Sequence, residues 1–207
     1  MRVLCFGDSN TWGYISGTDH QRYDENTRWT RLLGKYLGNG YEVIEEGLNS
    51  RTLNSNYPEE YERPYRNGFQ YFIPCIYSQD KVDVVIIMLG TNDLKSFFNL
   101  TASDMLSNLK LYIDYVLNYK SIIDGSSPKL IISGIAPIDE NKSKTYYKGI
   151  LSKRNEYNAL SKEICNNLGV SFIDNSDLQV GVDGVHLLET SHKKLAEKLY
   201  KEIKSYE

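Results

Sequence analysis

The sequence predicts an α/β fold in which helices cover a parallel sheet on both faces. Short apolar runs rich in β-branched residues alternate with longer segments of helical spacing, and this alternation favours parallel strands joined by crossover helices. The run VDVVIIMLG at 82–90 is nearly all apolar, as expected of a strand covered on both sides. With 207 residues, 41% of them hydrophobic, the chain is long enough for one well-buried core, so residues 1–207 are predicted to form a single domain.

Each predicted element follows from its local pattern. The strand candidates are the β-branched apolar runs, which occupy residues 3–6, 43–44, 82–89, 130–135 and 170–173. The helix candidates have apolar residues at helical spacing, and they occupy residues 29–37, 69–77, 105–117, 150–168 and 195–203. The polar segment 49–67 is too long for an ordinary connection, which makes it either a surface excursion or a rim or subunit contact.

Composition excludes several classes of partner. The formal net charge is -3, and Lys and Arg are interspersed with Asp and Glu, so no nucleic-acid partner is expected. Cys5, Cys75 and Cys165 are odd in number and widely spaced, which predicts unpaired apolar side chains in a reducing compartment. Met1 leads directly into a strand pattern, and no apolar run approaches the ~18 residues of a membrane span. The sequence therefore predicts a soluble, cytoplasmic protein without a membrane partner.

Four short motifs lie beyond the carboxyl ends of predicted strands. They are GDS at 7–9, GLNSRT at 47–52, GTND at 90–93 and DGVH at 183–186. In an open parallel sheet, ligands bind in the crevice beyond these strand ends. The motifs are therefore expected to meet in one pocket despite their separation in sequence.

Taken singly, each motif has an ordinary structural explanation. Ser9 could be a helix N-cap, which is a common role for a serine after a strand. Asn92 could cap the next helix or hold a left-handed turn. Asp183 and His186 could form a turn with a surface histidine, or they could be two metal ligands.

Two hypotheses without hydrolysis, a metal site and a cofactor-binding module, also involve these motifs. A metal site lacks an evident third ligand, because His20 lies in a polar loop and His192 is expected to open the last helix, so no metal is predicted. In a non-enzymatic, flavodoxin-like cofactor module, the side chains of residues 9–11 would instead hydrogen-bond a phosphate.

Taken together, the motifs supply the parts of a nucleophilic serine site. A serine hydroxyl becomes reactive when a histidine removes its proton and a carboxylate orients that histidine, and the chain offers Ser9, His186 and Asp183 for these roles. An oxyanion needs hydrogen-bond donors, and the candidates are the backbone N–H of Ser9, the backbone N–H of Ser50 and the side-chain amide of Asn92. Each donor can supply about 3 kcal/mol of transition-state stabilisation.

The blocks FGDSNT, GTND and DGVH resemble, in order and across nearly the whole chain, the motifs of the SGNH (GDSL) hydrolase family. The resemblance implies a three-layer α/β/α, flavodoxin-like fold with a five-stranded parallel sheet. It also implies Ser9 as nucleophile, Asp183 and His186 as its partners, and Asn92 as an oxyanion donor.

The second block departs from the family pattern. Many members have glycine at the second oxyanion donor, whereas alignment through Arg51 and Thr52 places Ser50 there. Because the donor is a backbone N–H, the role survives if serine adopts the local backbone conformation. The segments VIEEGLNSRT and GTNDLKSFFNLT look like the arylesterase and acyltransferase branch, which implies small ester substrates.

The sequence therefore predicts a serine esterase for short acyl esters that works through an acyl-enzyme without a cofactor, with acyl transfer to alcohols as a further reaction. A carbohydrate O-acetylesterase using the same residues is the alternative. Asp8 is expected to brace the turn that presents Ser9. The candidate walls of the acyl pocket, for which core packing is the competing explanation, are Trp12, Leu94, Phe97 and Phe98.

The alcohol side of the pocket is expected to come from loops 49–67 and 137–145. The sequence leaves the oligomeric state open, and a homo-oligomer is compatible with it.

Overall fold

The predicted strands form one sheet in the computed structural model, which describes residues 1–206. All neighbouring strands pair in parallel, in the order β2-β1-β3-β4-β5. The strands are β1 (Arg2–Gly7), β2 (Glu42–Gly47), β3 (Val84–Met88), β4 (Lys129–Ser133) and β5 (Ser171–Ile173). The expected five-stranded parallel sheet is thus confirmed, with β3 to β5 shorter than predicted.

The helices are α1 (Ser9–Trp12), α2 (Trp29–Leu37), α3 (Gly68–Ser78), α4 (Ala102–Asn118), α5 (Leu151–Leu168) and α6 (Glu189–Lys204). Short 3-10 turns occur at Glu59–Tyr61, Ser96–Phe98 and Thr145–Tyr147. Helix α1 was not predicted from the sequence, and α6 begins six residues before the predicted start at residue 195. Helix α6 opens with polar residues that carry no apolar periodicity, whereas its later turns bury Leu195, Leu199 and Ile203.

Side chains of successive strand residues point to opposite faces, and each face has its own core. Leu4 and Phe6 of β1 pack in a cluster with residues of α3, α4 and α5. Val3 and Cys5 pack in a second cluster with residues of α2 and α6. The three-layer α/β/α arrangement is therefore confirmed.

The order of the strands determines where a ligand can bind. From β1 the chain crosses to β2 on one side and then returns to β3 on the other, so the crevice opens where β1 and β3 end. Gly47, at the end of β2, lets α1 approach closely, because a Cβ there would lie 2.2 Å from the backbone nitrogen of Trp12. The first turn after β1 is thereby held at the mouth of the crevice.

The three cysteines are buried and unpaired, as predicted. A search of residues 1–206 finds no helix with the length and apolar character needed to cross a membrane.

Candidate active site

Ser9 is presented by a tight turn directly after β1. Asp8 is the N-cap of α1, and its carboxylate accepts a hydrogen bond from the backbone N–H of Asn10 at 2.9 Å. Gly13 ends this four-residue helix in a left-handed conformation, with φ of 90°. The bracing role predicted for Asp8 is confirmed, while the N-cap explanation for Ser9 is wrong because Asp8 holds that position.

Ser9, His186 and Asp183 form a continuous chain of hydrogen bonds. The Nε2 atom of His186 lies 2.9 Å from the Ser9 hydroxyl oxygen, and its Nδ1 atom lies 2.7 Å from Asp183 Oδ2. The other carboxylate oxygen of Asp183 accepts the backbone N–H groups of Val185 and His186, both at 3.0 Å. The predicted serine, base and carboxylate are thus brought together in the order that proton transfer requires.

The charge of Asp183 follows from the same contacts. Burial acts to raise its pKa, but the hydrogen bonds from His186 and from the backbone outweigh burial and hold the pKa well below its ordinary value. Asp183 is therefore ionised at neutral pH, and it can fix the orientation of the imidazole and stabilise it once protonated.

Asn10 ties the serine turn to the histidine loop. Its side-chain oxygen accepts the backbone N–H of Leu187 at 3.0 Å, and its backbone carbonyl accepts the indole N–H of Trp29 at 3.2 Å. From the sequence, Asn10 was predicted only as a possible phosphate contact. Its position directly after Ser9 was the available signal, but its long-range partners were not visible in the sequence.

Tyr14 is a second residue that the sequence analysis missed. Its ring stacks on the imidazole of His186, with the centroids 4.2 Å apart and an angle of 25° between the planes. Its hydroxyl donates to the Thr18 carbonyl at 2.8 Å, which holds the ring in place. The His186 imidazole is therefore packed against an aromatic face as well as held by Asp183.

The three predicted oxyanion donors line one cavity. Within residues 1–206, the backbone N–H groups of Ser9 and Ser50 have no protein acceptor, so both can bind a substrate oxygen. Ser50 has φ of 67°, in the left-handed region that glycine adopts most easily. Serine therefore adopts here the backbone conformation that the predicted role of its N–H group needs.

Asn92 is oriented by two contacts. Its amide nitrogen donates to the Arg51 carbonyl at 3.0 Å, and its amide oxygen accepts the Tyr57 hydroxyl at 3.3 Å. An amide nitrogen has two N–H donors, so one remains free to bind a substrate oxygen.

Arg51 supports the same edge of the sheet from below. Its guanidinium donates to the Gly7 carbonyl at 2.9 Å and to the Glu46 carbonyl, and it lies 4.0 Å from the centroid of the Phe6 ring. These contacts join the ends of β1 and β2, from which the Ser9 and Ser50 turns emerge.

Three buried ionisable groups lie in or next to the site: Asp8, Asp93 and Lys95, of which Lys95 lines the cavity. Burial raises the pKa of Asp8 to about 6 and the pKa of Asp93 to about 7. Burial also lowers the pKa of Lys95 to about 7. Asp93 accepts the backbone N–H of Leu53 with both carboxylate oxygens, at 2.9 and 3.1 Å, and so links the GTND turn to the loop after β2.

The cavity has a volume of about 380 Å³. Beside Ser9, Asp183, His186 and the predicted oxyanion donors Ser50 and Asn92, the cavity is lined by residues of the surrounding loops: Tyr14, Gly17, Thr18, His20, Asn49, Arg63, Lys95, Lys144, Tyr146, Tyr147 and Val185. Loop 49–67 therefore forms part of the rim of the cavity, which was one of the two roles predicted for it. Loop 137–145 contributes Lys144, in agreement with its expected position.

The four side chains predicted as acyl-pocket walls do not line this cavity, and that prediction is wrong. Leu94 is fully buried in the core, and the indole of Trp12 lies beneath the Arg22 guanidinium at 5.2 Å. The 3-10 turn Ser96–Phe98 directs Phe97 onto Tyr61, with ring centroids 4.1 Å apart.

Phe98 packs instead against Tyr57, with centroids 5.0 Å apart. Aromatic surface in the cavity comes from Tyr14, Tyr146 and Tyr147.

The remaining histidines lie apart from each other. His20 is exposed at the rim, whereas His192 is fully buried and accepts the Trp29 backbone N–H at 3.3 Å. Helix α6 begins at Glu189, so His192 lies within its first turn instead of opening it. Among residues 1–206, no group of three or more His, Cys, Asp or Glu side chains is arranged to hold a metal ion.

Comparison with known proteins gives matches over most of the chain. Residues 5–194 match the GDSL-like lipase/acylhydrolase family. An aryl esterase of M. smegmatis superposes with a TM-score of 0.89 at 31% identity, covering 99% of this chain and 98% of that one. A carbohydrate acetylesterase from Sinorhizobium meliloti has a TM-score of 0.89 at 30% identity, covering 100% of this chain and 99% of that one.

An acetylxylan esterase from Xylanibacter ruminicola is 26% identical over 225 residues, which include 99% of this chain. That relative is much longer, and the aligned region spans 43% of its length.

Proposed function

The chain belongs to the GDSL-like lipase/acylhydrolase (SGNH) family of esterases, and from that premise we propose that it hydrolyses small esters with short acyl chains through an acyl-enzyme on Ser9. The observation that carries the proposal is the hydrogen-bonded chain from Ser9 through His186 to Asp183, which opens into a small cavity. Because the chain belongs to a hydrolase family, hydrolysis is favoured over the alternative hypothesis of a flavodoxin-like module that binds a cofactor.

In the acylation step, the Ser9 hydroxyl oxygen attacks the ester carbonyl carbon while His186 Nε2 accepts the hydroxyl proton. The negative charge that develops on the carbonyl oxygen is met by the N–H groups of Ser9, Ser50 and Asn92. As the tetrahedral intermediate collapses, the C–O bond to the alcohol breaks. Protonated His186 then gives its proton to the leaving oxygen.

In the second step, His186 removes a proton from water as the water oxygen attacks the Ser9 ester. Collapse of this intermediate releases the carboxylic acid and returns the proton to the Ser9 oxygen. An alcohol that occupies the place of water gives a new ester by the same proton transfers. Acyl transfer therefore requires only that the alcohol compete with water for the acyl-enzyme.

The preference for short acyl groups rests on the cavity. Its volume of about 380 Å³ is near the lower end of the ~300–1,000 Å³ typical of small-molecule sites. Tyr146 and Tyr147 form part of the wall, and Tyr147 is buried, so a long chain would have to displace packed rings. Overpacking of this kind costs about 1–3 kcal/mol, which corresponds to roughly 10- to 100-fold in rate.

A chain-length series of phenyl esters tests this proposal. We expect kcat/KM for the acetate and butyrate to exceed that for the dodecanoate by at least about tenfold, below micelle-forming concentrations. Ser9→Ala should abolish turnover of every member. Faster hydrolysis of the dodecanoate would refute the short-chain preference, and turnover by Ser9→Ala would refute the acyl-enzyme.

Removal of O-acetyl groups from carbohydrates is the second candidate. It is favoured by the similarity to a carbohydrate acetylesterase and an acetylxylan esterase, and by a cavity rim with several polar side chains. Acetate release from acetylated xylo-oligosaccharides and from phenyl acetate, at matched concentrations, separates the two. A higher kcat/KM for the sugar ester would select deacetylation.

A further inference from the structure

Three cationic side chains line the proposed ester-binding cavity: Arg63, Lys95 and Lys144. The only carboxylate in the lining is Asp183, which is already engaged by His186. The chain as a whole has a net charge of -3, so the positive wall is a local feature of this site. A cavity lined by one sign of charge concentrates ligands of the opposite sign.

Lys95 is the deepest of the three, with 6% of its surface exposed. Its ammonium group lies 5.1 Å from the ring centroid of Tyr57, 5.3 Å from that of Tyr146 and 5.8 Å from that of Tyr147. It donates to the Tyr57 hydroxyl at 2.9 Å and forms no ion pair with any carboxylate among residues 1–206. A buried ammonium without a counter-charge is costly, which is why burial lowers the pKa of Lys95 to about 7 and leaves it only partly protonated near neutral pH. A bound anion would remove much of that cost and favour the protonated form.

The nearest acidic groups do not neutralise Lys95 by direct contact. Asp8 and Asp93 attract it from beyond ion-pair distance, and each is engaged by a backbone N–H group. Burial raises the pKa of both carboxyls, which reduces the negative charge they carry near neutral pH. The counter-charge for Lys95 is therefore incomplete within the protein.

Arg63 and Lys144 extend the positive charge towards the mouth of the cavity. Both side chains are exposed, and neither forms an ion pair among the described residues. Arg63 is held beside the oxyanion loop, because its guanidinium donates to the Ser50 hydroxyl at 2.8 Å. Lys95 and Asn92 both contact the Tyr57 hydroxyl, so Arg63 and Lys95 adjoin the Ser50 and Asn92 side of the site.

We propose that Arg63, Lys95 and Lys144 form an anion subsite, so that the preferred substrate is an ester carrying a carboxylate close to the scissile carbonyl. This inference rests on the proposed ester hydrolysis and specifies its substrate class. The charge-assisted hydrogen bonds expected in such a subsite are stronger than neutral ones. The carboxylate belongs either to the acyl half or to the alcohol half of the ester, and the substrate pairs below distinguish the two.

Two pairs of substrates, each an anion with a neutral analogue of similar size, test the subsite. Phenyl hemisuccinate and phenyl levulinate place the difference on the acyl half, whereas meta-acetoxybenzoate and meta-acetoxybenzamide place it on the alcohol half. We expect kcat/KM to favour the anion by about 10- to 100-fold in one pair, after subtraction of the rate with Ser9→Ala protein. Added salt should reduce that preference.

Variants assign the preference to the proposed residues. Lys95→Met and the double variant Arg63→Gln/Lys144→Gln should each lower the anion-to-neutral ratio at least about fivefold. Lys148→Gln is the matched control, because Lys148 is exposed and does not line the cavity, and it should keep the wild-type ratio. A ratio measured within one protein does not depend on how much of that variant is folded.

A preference in either pair that is lost in these variants supports the subsite and identifies the half that carries the charge. Equal rates in both pairs, or a preference that persists in Lys95→Met, would overturn it while leaving neutral ester hydrolysis intact. If no ester is hydrolysed at all, the proposed function itself fails, and the subsite inference fails with it.

Discussion

Replacing Asn92 with alanine should separate an effect on turnover from an effect on stability. The variant removes the one side-chain donor of the proposed oxyanion site and keeps the proposed backbone donors of Ser9 and Ser50. Loss of one such donor costs about 10²- to 10³-fold in kcat, or roughly 2.7–4 kcal/mol. The same change deprives the Arg51 carbonyl and the Tyr57 hydroxyl of their hydrogen-bond partner.

The stability cost of Asn92→Ala follows from those two contacts. At about 1 kcal/mol for each lost hydrogen bond, the free energy of unfolding should fall by about 2 kcal/mol. For a chain of 207 residues this corresponds to a decrease in Tm of roughly 4–8 °C. A stable domain keeps its fold after such a loss, so the activity of the variant is measurable on folded protein.

The assay is kcat with phenyl acetate at 25 °C (about 298 K), together with Tm by circular dichroism. Ser50→Ala is the matched control, because it keeps the backbone N–H and loses only the hydroxyl, which contacts Arg63 and Tyr57, so most of the turnover should remain. Tyr57→Phe removes the hydroxyl that braces Asn92 and should have a smaller effect than Asn92→Ala. Near-wild-type kcat in Asn92→Ala, or an equally large loss in Ser50→Ala, would refute the assigned donors.

Three further predictions follow from the site. Asp183→Asn should reduce kcat by about 10⁴-fold with an unchanged circular dichroism spectrum, because the orientation of His186 depends on the carboxylate. Retention of activity in this variant would contradict the triad. Tyr14→Leu should lower kcat by about 2- to 10-fold, because the ring stacked on His186 is lost. Tyr14→Phe keeps the ring and should preserve kcat. Equal losses in both variants would show that the hydroxyl, and not the ring, supports His186. Asp93 has a folded-state pKa of about 7, above its ordinary unfolded value of about 3.9, so between these pH values the folded protein retains a proton that the unfolded chain has released. Stability should therefore decrease as pH rises from about 4 to about 7, by up to a few kcal/mol, and Asp93→Asn should reduce this decrease in Tm; an unchanged pH slope would contradict the raised pKa.

The sheet could be predicted because β1, β3 and β4 contain apolar runs and most of the longer helices show apolar periodicity. Strand β2 has the sequence EVIEEG, so only its apolar pair at 43–44 could be recognised. Once the strands are parallel, their carboxyl ends share one edge, and this brought Ser9, Ser50 and Asn92 into one predicted pocket. Helix α1 escaped notice because four residues show no periodicity.

The walls of the cavity could not be predicted in the same way. Leu94 and Phe97 follow the GTND motif, but the turn after it points one into the core and the other onto Tyr61. The side chains that do line the cavity, such as Arg63 and Tyr146, come from loops far apart in sequence. Their convergence depends on loop conformations that no periodic pattern encodes.

The central claim is that Ser9 forms the covalent intermediate, and covalent labelling tests it most directly. Intact-mass analysis after treatment with a fluorophosphonate, followed by peptide mapping, should show one adduct per chain on Ser9. That adduct should be absent from Ser9→Ala and should form far more slowly in His186→Ala, because the base that activates the hydroxyl is then missing. An adduct on Ser50 or on another residue, or labelling and ester turnover that persist in Ser9→Ala, would contradict the account.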